Sequence, residues 1–233
     1  IERNKATSGG GIFVNASATE NCNISYCDIQ DNYATTNGGG LYSGVNTTIS
    51  YSNILRNRAM TSVPDRNTDN PNKGRGGGFY FVGNATVKPV NELIASTVND
   101  NGCMWYGGGG HLGTNTTLTL NENCEINNNT SIMGGAAGLH VTDNATFNMK
   151  GGCISENEAL DGVGGGIHSS YTCVLNLNGG KISDNKVWGR GGGININTGG
   201  NLVLGGTNIT GNYAYKGNVL QSCIVSETDG IYS

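Results

Sequence analysis

Three histidines, His111, His140 and His168, are the only imidazoles in this 233-residue chain, and they recur at intervals of 29 and 28 residues. They share one repeat position with aromatic side chains, and the full series is Phe13, Tyr42, Tyr80, His111, His140, His168 and Asn195. If this position points outward, the rings form an exposed row suited to stacking on sugar rings or anchoring a protein partner. The alternative is that the flat side chains only stack on one another and stabilise the repeat.

Imidazoles one repeat apart could share a metal ion, and exposed ones would titrate between about pH 5.5 and 7.5. No carboxylate lies at the neighbouring positions to complete a metal-ligand set. We therefore predict no metal site and no cofactor, and we take Tyr42, Tyr80 and the three histidines as candidate ligand-binding residues.

Carboxylates form a second series, at the position just before a recurring asparagine: Asp31, Asp100, Glu156 and Asp184. Polysaccharide cleavage needs a carboxylate pair roughly 5 to 9.5 Å apart, or calcium held by carboxylates beside a basic residue. Glu156 and Asp184 would be neighbours, but no Arg or Lys recurs opposite them. We predict a non-enzymatic protein without catalytic residues, with a polysaccharide lyase or glycoside hydrolase as the alternative.

An insertion at 58–75 interrupts the spacing and concentrates positive charge. Together with Arg56, its Arg58, Arg66, Lys73 and Arg75 are 5 of the chain's 13 cations, in a protein of net charge -4. Long loops on a regular scaffold are often functional. The four cations of the insertion are therefore candidate contacts for an anionic glycan or an acidic protein patch, although a tolerated surface insertion explains them equally well.

The composition excludes several classes of protein. There are 40 Gly and 34 Asn, only 13% of residues are charged and there are three Pro, so neither a helical bundle nor a disordered chain fits. The net negative charge does not favour nucleic-acid binding, and no apolar run is long enough to insert into a membrane. The start of the chain lacks the apolar core of a signal peptide, so we expect this segment to be part of a longer exported protein.

The cysteines and the glycosylation sequons say little about function. The seven cysteines are an odd number without CxxC spacing, which favours small core residues over a disulfide framework or a zinc site. The Asn- and Thr-rich composition accounts for most of the nine Asn-x-Ser/Thr sequons, which begin at Asn15, Asn23, Asn46, Asn84, Asn115, Asn128, Asn129, Asn144 and Asn208.

Two motifs repeat with one period and in a fixed order. Three small residues followed by an alternating triplet begin at Gly9, Gly38, Gly76, Gly107, Ala136, Gly164 and Gly191. An aliphatic-x-x-Asn motif places its asparagine at Asn32, Asn57, Asn101, Asn129, Asn157, Asn185 and Asn212. Most steps are 27 to 31 residues, which is typical of a solenoid.

Each period contains three short runs with the two-residue alternation of a β-strand and no helical pattern, as in Asp28–Ile29, Gly40–Ser43 and Thr48–Tyr51. Three short strands per coil predict an all-β fold, a right-handed parallel β-helix of about seven coils. A propeller blade would need four strands and 40 or more residues. Regular threonine rows of the kind that bind ice are broken in several coils.

The recurring asparagines and glycines have structural explanations. In stacked coils, equivalent positions lie about 4.8 Å apart, so the asparagine amides can form a hydrogen-bonded ladder. The glycines fit sharp bends where neighbouring coils press together. We expect the repeats to span 1–216, and residues 217–233 to be a C-terminal cap, pinned by Cys223, or the start of another segment.

The motif Ile29-Gln30-Asp31-Asn32-Tyr33-Ala34, followed by Gly38-Gly39-Gly40-Leu41, resembles the paired repeats of chlamydial polymorphic outer-membrane proteins. Similar repeats occur in adhesin-like β-helical surface proteins. The resemblance covers about residues 4–216 and implies a right-handed β-helix at a cell surface or outside the cell. It also implies adhesion to a host glycan or a host protein such as a mucin, a matrix protein or an immunoglobulin.

Overall fold

The computed structural model describes residues 1–15, 21–61 and 74–216, and the backbone of a strand at 231–232. These residues contain short β-strands joined by turns and no helix. In the described part of the chain, no helix of sufficient length and apolarity to cross a membrane is present.

The strands follow one another in a four-strand period. The first four coils contain β1 Lys5–Ala6, β2 Ile12–Val14, β3 Cys22–Ser25, β4 Asp28–Gln30, β5 Tyr33–Ala34, β6 Leu41–Ser43, β7 Thr47–Ser50, β8 Asn53–Leu55, β9 Arg58–Ala59, β10 Phe79–Phe81, β11 Val90–Ile94, β12 Thr97–Asn99, β13 Gly102–Cys103, β14 Gly110–Leu112, β15 Thr117–Leu120 and β16 Glu125–Asn127. The remaining strands are β17 Thr130–Ser131, β18 Leu139–Val141, β19 Thr146–Met149, β20 Cys153–Ser155, β21 Glu158–Ala159, β22 Ile167–Ser169, β23 Val174–Leu177, β24 Lys181–Ser183, β25 Lys186–Val187, β26 Ile194–Ile196, β27 Asn201–Leu204, β28 Asn208–Thr210, β29 Tyr213–Ala214 and β30 Ile231–Tyr232.

Every fourth strand pairs in parallel, which gives four sheets along the molecule. Sheet 1 contains β1, β5 and each fourth strand to β29; sheets 2, 3 and 4 begin at β2, β3 and β4 in the same way. The predicted parallel β-solenoid of about seven coils is confirmed. Each coil has four strands where three were predicted, because two residues directly after each recurring asparagine, such as Tyr33–Ala34, pair in a sheet of their own.

The core consists of columns of apolar side chains that face into the coils. The middle residues of sheet 4 are all buried: Ile29, Ile54, Val98, Ile126, Ile154, Ile182 and Ile209. Large and small residues complement each other in sheet 2, where a Cβ on Gly110 would lie 2.1 Å from Cζ of Phe79. The Phe79 ring therefore fills the space that Gly110 leaves in the next coil.

The recurring asparagines lie in one column inside the turn between sheets 4 and 1. From Asn4 to Asn185, each amide nitrogen donates to the side-chain oxygen of the asparagine in the next coil, as in Asn129 to Asn157 at 2.9 Å. From Asn32 to Asn212, the amide nitrogen also donates to a backbone carbonyl, as in Asn129 to Val98 at 2.9 Å. The column consists of Asn4, Asn32, Asn57, Asn101, Asn129, Asn157, Asn185 and Asn212. Because the N–H groups and the oxygen of these amides have hydrogen-bond partners, burying the polar side chains carries little penalty.

Glycine suits the bend at the start of six of the seven triplets, and Ala136 holds the seventh with a φ of 51°. Gly38 has a φ of 67°, and a Cβ there would lie 2.4 Å from the carbonyl oxygen of Leu41. A side chain would therefore be both strained and blocked. The tight bend returns the chain to the beginning of the sheet 2 strand.

The segments that depart from the repeat are only partly described. Residues 62–73 and most of 217–233, including Cys223, lie outside the described residues, whereas Ile231–Tyr232 add a last strand to sheet 2. Arg58 belongs to β9, and Arg75 donates its backbone N–H to Thr36, so both ends of the predicted 58–75 insertion belong to the coils. The six described cysteines are free, and three of them are buried: Cys103, Cys124 and Cys173.

The ladder gives the first prediction. Asn129→Ala removes four hydrogen bonds from a buried site, two donated and two accepted. Because unpaired buried polar groups remain, we expect the free energy of unfolding to fall by roughly 3 kcal/mol or more. This corresponds to a drop in melting temperature of roughly 6–12 °C in a chain of this size, measured by differential scanning calorimetry.

The matched control is the neighbouring Asn128→Gly. Asn128 is exposed and has a φ of 53°, which glycine adopts without strain. We expect this variant to melt close to the wild type. Equal melting temperatures for Asn129→Ala and the control would show that the ladder does not stabilise the fold.

Candidate functional site

The outward positions of sheet 2 form one continuous column. The strand register pairs Phe13 with Tyr42, Tyr42 with Tyr80, and Tyr80 with His111. The pairing continues to His140, His168 and Asn195. Neighbouring ring centroids are 4.6 to 5.3 Å apart. The side chains that recur in the sequence therefore stack along the solenoid.

The predicted exposure of this column is wrong for most of its length. Phe13 is 56% exposed and Tyr42 is half-buried, but Tyr80 is only 9% exposed. His111, His140 and His168 are buried, with 1%, 5% and 6% exposure. The candidate binding residues Tyr80, His111, His140 and His168 therefore do not present their rings to a ligand.

The turn before each sheet 2 strand explains this burial. The turns pair with one another through isolated bridges, from Tyr106 to Gly135 and from Gly135 to Val163. Tyr106 stacks on His140 at 4.5 Å and lies 6.0 Å from His168. Gly164 approaches so closely that its Cβ would lie 2.7 Å from Cβ of His168. The turns thus form a second layer over the outward face of sheet 2.

Burial keeps the three imidazoles neutral. It lowers the pKa of His168 to about 4, and it holds the pKa values of His111 and His140 well below their usual range. The guanidinium of Arg75 adds to this effect by repelling the charged forms of His111 and His140. The column therefore titrates at a lower pH than the window expected for exposed imidazoles.

A direct contact between two histidines requires one Nδ1 to carry a proton and the other to accept it. Nδ1 of His140 lies 3.0 Å from Nδ1 of His111, so one ring donates a proton and the other accepts it. Among the residues that the structure describes, Nδ1 of His168 has no hydrogen-bond partner. In the described ranges, no three His, Cys, Asp or Glu side chains are grouped so that they could hold a metal ion.

Two of the predicted basic residues, Arg58 and Arg75, belong to the coils and not to an exposed loop. Arg58 lies on β9, where its guanidinium donates to the carbonyls of Asn57 and Asp100 and its stem covers Gly102. Burial lowers its pKa. Arg75 lies beside Tyr80 and partly offsets the rise that burial causes in the pKa of the Tyr80 hydroxyl. Arg66 and Lys73 lie outside the described residues.

The candidate carboxylates occupy a second column, at the corner just before the asparagine ladder. Asp31, Asp100, Glu156 and Asp184 all have φ between 56° and 58°. Asp31 forms an ion pair of 2.9 Å with Arg56, and the hydrogen bond from this guanidinium lowers the pKa of the Asp31 carboxyl. Glu156 and Asp184 are both exposed.

Glu156 and Asp184 line the same shallow depression on the outer surface. Its volume is about 510 Å³, and its lining residues are Asn128, Glu156, Glu158, Asp184, Lys186 and Gly211. The lining has three carboxylates and one ammonium group, and Nζ of Lys181 lies 3.9 Å from Asp184, so a net negative charge remains. The structure thus brings together two of the predicted carboxylates on the last coils.

An exposed aromatic cluster, which we did not predict, lies next to this depression. Trp188 stacks on Tyr215 at 5.5 Å, and Tyr213 meets Tyr215 edge-on at 4.8 Å. The three side chains are 46% to 56% exposed. Tyr213 is the cross-coil partner of Lys186, which lines the depression, so the two features share one face.

A sequence signal for this cluster exists. Trp188 and Tyr215 each lie three residues after a ladder asparagine, and their backbone N–H groups donate to Ala159 and Val187 of the preceding coils. Residues at this offset in successive coils make the same backbone hydrogen bond and form a column, which we call the outer apolar column. It consists of Met60, Met104, Ile132, Leu160, Trp188 and Tyr215. A search at this offset would have revealed it.

The buried imidazoles predict acid sensitivity. His168 has a folded pKa of about 4 against an ordinary value of 6.5, so the unfolded chain binds its proton first as pH falls. The stability that neutral His168 contributes is therefore complete above about pH 6.5 and is lost progressively toward pH 4. His168→Asn places at this position the residue found in the next coil, Asn195. Between pH 7 and pH 5, we expect the free energy of unfolding of this variant to fall by roughly 2 kcal/mol less than that of wild type.

Urea unfolding at each pH measures this difference, and the carboxylates common to both proteins cancel. His111 and His140 remain in the variant, so part of the acid sensitivity should persist. Parallel profiles for the two proteins would contradict a buried neutral His168.

Compared with protein-family models, with curated proteins and with solved structures, the chain has no match. The geometry of its own outer face is what bears on function.

Proposed function

We propose that this solenoid is a non-enzymatic adhesion module of a cell surface, which binds a host glycan or host protein through the outer face of its last coils. A glycan is the ligand that this face fits best. The observation that carries the proposal is the exposed cluster of Trp188, Tyr213 and Tyr215 beside a polar depression.

The chemistry of a sugar ring matches this pair of features. A pyranose has an apolar face of C–H groups, which packs on a flat aromatic ring, and a rim of hydroxyls. Glu156, Glu158 and Asp184 can accept hydrogen bonds from hydroxyls, and Lys186 can donate one. Tyr and Trp have few rotatable bonds, so they lose little entropy when they bind.

The charge of the depression restricts the class of glycan. Three carboxylates outnumber Lys186 and Lys181, whose Nζ lies 3.9 Å from Asp184, so the net negative charge disfavours uronates and sulfated sugars and leaves neutral or amino sugars as the favoured ligands. Nζ of Lys216 lies 5.3 Å from the centre of the Trp188 ring. It supports the Trp188 ring by a cation–π contact.

A glycan array with the intact chain, followed by calorimetric titration of the best ligand, tests this proposal. We expect Trp188→Ala and Tyr215→Ala each to weaken binding at least about tenfold, which is about 1.4 kcal/mol. The matched control is Tyr171→Ala, since Tyr171 is also an exposed tyrosine, at 59%, on a different corner. Tyr171→Ala should bind the same glycan with the affinity of wild type.

Other results have clear meanings. Binding to a host mucin or matrix protein that survives enzymatic removal of its glycans would favour a protein ligand. Glycan binding that is unchanged in both Trp188→Ala and Tyr215→Ala would exclude this face as the site.

The enzyme alternative has one observation in its favour, namely that Glu156 and Asp184 line one depression. Two carboxylates on either side of a glycosidic bond are the usual requirement of a glycoside hydrolase. If the protein is an enzyme, wild type should release reducing ends or unsaturated uronates from pectin, alginate or a glycosaminoglycan, and Glu156→Gln should not. The adhesion proposal expects no release from either protein. Release that Glu156→Gln abolishes and that Tyr171→Ala leaves unchanged would replace adhesion by catalysis.

A further inference from the structure

The turn between sheets 2 and 3 carries the same sequon in four successive coils. Asn46, Asn84, Asn115 and Asn144 each lie three residues after the last residue of a sheet 2 strand, and each is followed by Thr two residues later. The next two coils have Thr172 and Gly199 at this position. We call the four asparagines the sequon corner.

Exposure separates this corner from the ladder. Asn46, Asn84 and Asn144 are exposed and Asn115 is half-exposed. Asn129 also begins a sequon, but it is fully buried, and its amide nitrogen donates to both Val98 and Asn157. A glycan on Asn129 is incompatible with the ladder, whereas the sequon corner faces solvent.

The amide nitrogens of the corner differ between alternate coils. Nδ2 of Asn46 donates to Asn21, and Nδ2 of Asn115 donates to the carbonyl of Asn84. The side-chain oxygen of Asn84 accepts from both N–H and Oγ1–H of Thr86, at 2.9 Å each, so its nitrogen is directed away from the backbone. In the part of the chain that the structure describes, Nδ2 of Asn84 and of Asn144 makes no hydrogen bond.

From this geometry we infer that Asn84 and Asn144 are N-glycosylation sites. Equivalent residues in adjacent coils are about 4.8 Å apart, which is too close for two bulky glycans, whereas Asn84 and Asn144 lie two coils apart. The two asparagines whose amide nitrogens are free are therefore far enough apart for both to carry a glycan. Glycans here would cover one corner of the solenoid and leave the aromatic cluster on sheet 1 open.

The modification is a group transfer from a polyprenyl-diphosphate-linked oligosaccharide. The asparagine nitrogen forms a bond to C1 of the first sugar, and the bond between C1 and the diphosphate oxygen breaks. The polyprenyl diphosphate leaves with the electron pair, and an amide proton passes to a base of the transferase. The reaction requires the sequon, in which a Ser or Thr hydroxyl lies two residues after the asparagine.

The test uses the whole chain, fused to a cleavable secretion signal, in cells that perform N-glycosylation. Peptide N-glycosidase treatment in ¹⁸O water converts each glycosylated asparagine into labelled aspartate, which mass spectrometry locates in both secreted and microsomal protein. We expect label on Asn84 and Asn144 in most molecules and none on Asn129 in the secreted protein.

Matched variants identify each site. Thr86→Val removes the hydroxyl at nearly constant shape and should abolish one glycan, whereas Thr86→Ser should keep it. A chain that shows no mass change on deglycosylation would overturn the inference, and so would label on Asn46 and Asn115 in place of Asn84 and Asn144. The glycosylation inference does not depend on adhesion, because this mapping requires no ligand.

Discussion

The asparagine ladder is the interaction on which the rest of this structure depends. A buried primary amide is stable only when its donors and its acceptor all have partners. Here the partner of each amide is the equivalent amide one coil away, as in Asn101, Asn129 and Asn157. Because a shift of one residue would leave every amide in the column unpaired, the ladder fixes the register of the coils as well as their spacing.

A fixed register inside the coils also fixes the columns outside them. The histidine column, the corner carboxylates, the sequon corner and the outer apolar column are all consequences of one period. The histidines show how a column can change character through its neighbours. Glycine triplets let the preceding turn fold back on sheet 2, and this cover buries His140 and His168 under Tyr106. Rings that would be a binding surface on a bare sheet thereby become a second, neutral core.

The sequence predicts those features that repeat strongly. Two-residue alternation and the recurring asparagine were sufficient for three of the four strands of each coil and for the number of coils. The fourth strand was missed because two residues, such as Lys186–Val187, are too short to show alternation. Burial of His111 and His168 was missed because alternation distinguishes the inside of a coil from its outside, and an outside residue can still be covered. Arg58 was predicted to lie in the insertion, but the insertion begins only after β9, which contains Arg58.

The aromatic cluster illustrates why the functional surface could not be recognised from composition. Two of its members, Trp188 and Tyr215, belong to the outer apolar column, where Met60, Met104 and Ile132 are half-buried and the later residues are exposed. A tryptophan with 46% of its surface exposed gains less from burial than it would in the core. Its contact with Tyr215 contributes on the order of 1 kcal/mol and leaves about half of each ring open to solvent. That open surface lies beside Lys186 and the carboxylates of the depression, where the apolar face and the hydroxyl rim of a sugar would complete the contacts that the fold itself leaves unmade.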